Sequence, residues 1–204
     1  MIRLIFFITL ELFIYKIFPT EGYFQEFLTM VGFFAVIPFL YNKFVFKKSI
    51  KELGLSVGEY KKGIFWSSVS LIGAFVVFFI FFKYTDFLKK YTLPVEVYSN
   101  FTNFVYYEIF FLLSLSFIYE IFFRGFIVLN FEKYIGYLAI LLQWFVFLVL
   151  VFFNGAFNWF FVPYIIFFPF AGLIVYKSRS IFYSLMAQSL FLFVVDILII
   201  KIKY

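Results

Sequence analysis

The chain contains no cysteine and no histidine. The first absence rules out disulfides, thiolate metal sites and a cysteine nucleophile. The second removes the serine–histidine pair, the imidazole metal ligand and the one side chain that titrates near neutral pH unaided. With both missing, a zinc site loses its ordinary ligands, and no metal or other cofactor is expected. Charge is scarce too, at 14% of residues. What fills the chain instead is apolar: 66% hydrophobic, with 40 Phe and 16 Tyr among 204 residues and a mean hydropathy of +1.06. A soluble domain of this size cannot bury so much, so the composition reads as an all-α, polytopic transmembrane bundle. The net charge of +6 does not point to nucleic acid. Lys and Arg cluster in the gaps between apolar runs, as they do in cytoplasmic loops under the positive-inside rule.

In order, Arg3 sits where a signal peptide carries its basic residue, but Glu11 interrupts the run and no small-residue cleavage site follows. Residues 4–18 therefore read as a retained first span. Pro19 and Gly22 mark a turn before a second span at 24–42 that carries Pro38. Next comes the most basic segment, with Lys43, Lys47, Lys48, Lys51, Lys61 and Lys62. It reads equally as an amphipathic helix on the cytoplasmic surface or as a plain basic loop. A third span covers 63–82. The linker from Lys83 to Asn103 is the longest polar gap, and its Phe-Leu-Lys-Lys run reads as a short interfacial helix. Further spans follow at 104–129, 136–153, 160–176 and 181–200, the last carrying Ser184, Gln188 and Asp196. The whole chain, 1–204, is thus expected to be one integral membrane domain of about seven spans. An alternating path puts 11 Lys/Arg on the N-terminal side, Arg124 among them, and 6 on the other. That bias predicts a multi-pass protein of the plasma or inner membrane with a cytoplasmic N-terminus.

The most informative stretch is Phe104 to Leu129. It is long enough to cross a bilayer, which takes about 20 apolar residues, yet it carries Glu120 and Arg124 near its end. Four apart on a helix, these two lie on one face and can pair. Ionised groups in a membrane helix are rare and face the protein interior. The sequence Tyr-Glu-Ile-Phe-Phe occurs twice, at 107–111 and 119–123. Twelve residues of ideal helix set Glu108 and Glu120 about 120° apart, so Glu108 reads as interfacial and the duplication as chance.

Tyr119-Glu120-Ile121-Phe122-Phe123-Arg124-Gly125-Phe126 resembles the Glu-Glu-x-x-x-Arg signature of the CPBP family, the CAAX prenyl protease and bacteriocin-processing membrane proteins. Leu53-Gly54-Leu55 in the basic segment and the turn Tyr176-Lys177-Ser178-Arg179-Ser180 before the last span are also shared, so the likeness covers roughly residues 50–195. The resemblance implies an intramembrane endopeptidase fold of the glutamic or metalloprotease type. It also implies a lost reaction. Tyr119 stands at the first glutamate, Phe157 at the histidine of the second motif, and Gln188 and Leu192 at the histidine and asparagine of the third. Glutamine hydrogen-bonds but does not titrate, so it cannot replace a base.

Glu120, Arg124, Asn154, Asn158 and Gln188 are candidates to line a polar cavity. Their plainer readings are an ion pair for Glu120 and Arg124, turn capping for the two asparagines, and an interhelical hydrogen bond for Gln188. Asp196 reads as interfacial or paired with Lys201. The function expected from the resemblance is binding of a membrane peptide or partner protein, as in bacteriocin immunity, peptide maturation or regulation. An active CAAX-type endopeptidase with atypical motifs and a small transporter subunit are the alternatives.

Overall fold

In hydrocarbon every backbone N–H and C=O must be satisfied within the chain, which drives long apolar runs into helices. The computed structural model describes residues 1–153 and 157–203, and among them every regular element is helical. The main rods are α1 (Ile2–Ile17), α2 (Tyr23–Phe44), α3 (Tyr60–Tyr84), α4 (Phe101–Ile135), α5 (Leu138–Phe153), α6 (Trp159–Ser178) and α7 (Ile181–Lys203). Five of them, α2, α3, α4, α6 and α7, are long and apolar enough to cross a membrane. With 16 residues each, α1 and α5 measure about 24 Å at 1.5 Å per residue, short of a hydrocarbon core of about 30 Å. The protein is thus a multi-pass, membrane-embedded helical bundle.

α4 is the central rod. Each residue from Glu120 to Val128 is buried, and α2, α5, α6 and α7 pack around it. At 35 residues it is longer than the predicted 104–129 span and continues past Arg124, which lies inside the bundle. Arg124 therefore does not count among the cytoplasmic-side charges, and ten, not eleven, stand against six.

Prolines within rods are accommodated in two ways. A proline ring meets the carbonyl four residues earlier and leaves it without a partner. In α2 a π-helical turn, Gly32–Val36, widens the helix just before Pro38. In α6, Pro169 frees the Ile165 carbonyl, which accepts the indole N–H of Trp144 from α5 at 3.0 Å.

The basic segment forms no long surface helix. It makes a single 3₁₀ turn, Ile50–Leu53, held by a capping box in which Glu52 Oε2 accepts the Ser49 N–H at 2.8 Å. Gly54 ends the turn at φ 77°, and its carbonyl accepts the Ile181 N–H at 3.0 Å. A side chain at Gly125 would place its Cβ 2.6 Å from the Leu53 carbonyl oxygen, so the glycine is what lets the segment dock on α4. Leu53-Gly54-Leu55, Gly125 and the Ser178–Ser180 turn, far apart in sequence, meet here. The 83–103 linker is not an open polar gap either. It contains two helical turns, Phe87–Lys90 at the expected Phe-Leu-Lys-Lys and Val95–Tyr98, and it buries Phe87, Tyr91, Leu93 and Val97 across one end of the bundle.

Candidate functional site

The site grows from two helices, α4 and α7, that run antiparallel. Polar residues recur on α4 at Glu108, Ser116, Glu120 and Arg124, and on α7 at Ser184, Gln188 and Asp196, all at multiples of four. They meet in one register. Ser184 Oγ donates to Glu120 Oε2 at 2.5 Å, and Gln188 Nε2 donates to Ser116 Oγ at 3.2 Å. Asp196 and Glu108 lie beside each other in the same register. The same register sets Leu192 level with Leu112, and both are buried, so an apolar layer divides the seam into two polar clusters.

Between Glu108 and Glu120, α4 is not a uniform α-helix. Three four-residue steps would wind about 120° around an α-helix and carry Glu108 away from the face of Glu120. Tyr107–Leu112, at the start of the stretch between the two glutamates, is π-helical, with i→i+5 bonding that turns the chain less per residue. The under-rotation keeps Glu108 and Glu120 facing α7. Glu108 is accordingly buried.

In the first cluster, Arg124 Nε stands 3.5 Å from Glu120 Oε1, and neither side chain has any exposure. Arg124 Nη2 donates to Gln188 Oε1 at 2.8 Å, and its guanidinium carbon lies 3.8 Å from the centre of the Phe168 ring. Arg124 Nη1 and Glu120 Oε1 make no hydrogen bond among the described residues. The pair is thus close and electrostatic without being bidentate, in the setting where desolvation offsets most of the attraction. Gln188 bridges the two helices through both ends of its amide. Among the described residues no three Asp or Glu side chains gather as metal ligands would.

In the second cluster, Tyr91 Oη donates to Asp196 Oδ1 at 2.7 Å, while Lys203 Nζ donates to the Tyr91 carbonyl at 2.7 Å. Asp196 is therefore neither interfacial nor paired with Lys201. It is buried at 2% exposure, anchors the linker through Tyr91 and abuts Glu108. The four-residue spacing of both ladders was the available sequence signal for this cluster, and ideal α-helical geometry argued against it.

No protein-family model, curated protein or solved structure matches this chain.

The remaining candidates separate. Tyr119 is buried but borders a cavity of about 320 Å³ shared with Tyr15, Glu26, Met30, Phe111 and Asn158. Asn158 caps the Trp159–Phe161 turn, its Oδ1 accepting the Phe160 N–H at 2.9 Å, as the plainer reading expected. It shares its cavity with Tyr119, whereas Glu120 is sealed inside the bundle. Phe157 is exposed and packs on Phe152 and Trp159, and Leu192 lies in the apolar layer. Asn154 lies outside the described residues.

Proposed function

We propose that this chain is a non-catalytic membrane protein of the CPBP type, which receives a membrane peptide or a partner's transmembrane segment in the cavity beside Tyr119. The observation that carries this reading is the contrast between neighbours. Tyr119, at the position of the family's first glutamate, borders an open cavity, while Glu120 is fully buried between Ser184 and Arg124. A general base must reach the proton it removes, and this carboxylate meets only Ser184 and Arg124 inside the bundle. The meeting of Leu53-Gly54-Leu55, Gly125 and the Ser178–Ser180 turn supports the family reading, since the three shared stretches form one contact. The mostly apolar cavity lining, with Glu26 and tyrosines among it, suits a helical peptide bearing few polar groups.

In this proposal α1 and α5 also cross the membrane, giving seven spans. The N-terminus, the basic segment, Lys133 and the Lys177–Arg179 turn then face the cytoplasm across the plasma or inner membrane. A second reading, a small transporter subunit, draws on the polar seam, because acidic groups at two depths of a bundle are what ion pathways use.

The test uses the purified chain in lipid nanodiscs with a photo-cross-linking residue at Phe111 and a transmembrane model peptide. Cross-linking without cleavage is the expected result. Cleavage that disappears in Glu120→Gln would overturn the non-catalytic reading, and proton or cation flux through vesicles would favour the transporter.

A further inference from the structure

α1 leans on α2 and α4, with Phe7 stacked on Tyr41 at 3.9 Å and edge-on to Phe126 at 5.5 Å, but it stands off from α5. The space between them is a groove of about 560 Å³ walled by Ile8, Leu12, Val146 and Val149, with no carboxylate on its lining. At its head is a second hollow, about 430 Å³, where Arg3 and Lys133 project beside Asn130. The two adjoin along the chain: Leu4 borders the hollow and Ile5 the groove, as Asn130 and Phe131 do on α4.

The charges at the head have no counter-ion. Among the described residues neither Arg3 nor Lys133 forms an ion pair. Lys133 rests on the Tyr134 and Phe46 rings, at 4.8 and 6.0 Å. Just behind, Lys48 Nζ donates to Asn130 Oδ1 at 2.6 Å. Partial burial and the nearby Lys133 ammonium both hold Lys48 below its ordinary pKa, with Glu52 opposing them. Two ammonium groups are therefore held together with no carboxylate in the hollow, an arrangement that an anion relieves.

The dimensions narrow the anion. From Ile5 to Lys16 the groove follows eleven residues of helix, about 16 Å, or half of a hydrocarbon core of about 30 Å. That is about the length of one acyl chain, with Lys16 at the groove's foot near the other end of α1. A free phosphate would use the hollow and leave the groove unexplained, whereas an amphiphile accounts for both.

The geometry points to a built site for an anionic phospholipid, its phosphate on Arg3 and Lys133 and one acyl chain along the groove between α1 and α5. The site is independent of the cavity beside Tyr119 and of any reading of Glu120.

The experiment is native mass spectrometry of the delipidated full chain titrated with phosphatidylglycerol or with phosphatidylcholine of the same chains. One phosphatidylglycerol is retained preferentially. Arg3→Gln and Lys133→Gln each weaken that retention about fivefold, the weight of one basic residue at an anionic surface. Thr9→Trp, an exposed position on the groove wall, displaces the lipid without changing charge. Soluble glycerol phosphate does not compete. Should a variant fold poorly, raising the salt concentration on the unaltered chain makes the same test, because screening weakens retention of the anionic lipid alone. Equal retention of both lipids, or retention indifferent to salt and to the two substitutions, would overturn the headgroup site. Displacement by glycerol phosphate would overturn the acyl groove.

Discussion

Replacing Glu120 and Arg124 separately and together measures how the centre of the bundle is held. Glu120→Leu strands a guanidinium that cannot shed its charge. Breaking a buried pair costs about 3–5 kcal/mol, and here Gln188 Oε1 at 2.8 Å and the Phe168 face remain as partners. The loss should fall near the lower bound, about 3 kcal/mol. Arg124→Leu leaves a carboxyl that keeps the Ser184 hydroxyl and can take up a proton. It also removes part of the largest fully buried side chain and leaves Gln188 Oε1 without its donor. A stranded buried polar group costs about 1–3 kcal/mol, so with the lost packing this variant should lose about 2–4 kcal/mol. In the double variant the charge terms vanish together and only Gln188 and Ser184 lose partners, for about 1–3 kcal/mol. The singles should therefore sum to well over the double, with a coupling of about 4 kcal/mol. Reversible unfolding in mixed micelles, followed by intrinsic fluorescence, supplies the four values. Additive singles would mean that the two side chains do not share an environment, and the seam would be wrongly drawn. A Glu120→Leu variant more stable than the parent would identify Glu120 as a strained functional acid.

Tyr91→Phe removes the phenol that donates to buried Asp196 and should cost about 1.5–3 kcal/mol, a loss that shrinks in an Asp196→Asn background if the contact is direct. Gly125→Ala forces a methyl to 2.6 Å from the Leu53 carbonyl oxygen and should destabilise by about 1–3 kcal/mol, measured by the same unfolding. Glu11→Leu removes a buried carboxyl whose oxygens accept no hydrogen bond among the described residues, and it should raise stability by about 1–3 kcal/mol; a loss instead would reveal a partner for it. With no native cysteine to interfere, Val57→Cys and Ser99→Cys should be labelled by impermeant reagents from opposite sides of the membrane. Labelling from one side would refute the seven-span path.

The sequence made some of this legible and concealed the rest for definite reasons. The pairing of Glu120 with Arg124 and the interhelical role of Gln188 followed from four-residue spacing and from the cost of leaving such groups in lipid. Membrane class followed from bulk composition. Arg124 was counted with the cytoplasmic charges because it stands near the end of an apolar run, and α4 continues well beyond it. Phe87, Tyr91, Leu93 and Val97 were hidden among Asp86, Lys89, Lys90 and Glu96. In a segment of mixed polarity no periodicity tells a linker folded over the bundle from one in solution. Glu108 and Asp196 were misplaced for a subtler reason. Ideal geometry turned Glu108 away from α7, and π-helical turns leave no signature in a run of phenylalanine.

The docking of the Leu53-Gly54-Leu55 segment also constrains the order of assembly. Its outer partners, the Ser178 carbonyl and the Ile181 N–H, belong to the turn between α6 and α7. A chain emerging from its N-terminal end makes α2 and α3 well before that turn exists. Until the last hairpin enters the bilayer, the Gly54 carbonyl and the Glu59 N–H that the turn will engage stay exposed to water. The C-terminal hairpin thus closes a latch that the first quarter of the chain leaves open. A partly synthesised or truncated protein would present a basic, unlatched segment for quality-control machinery to grip.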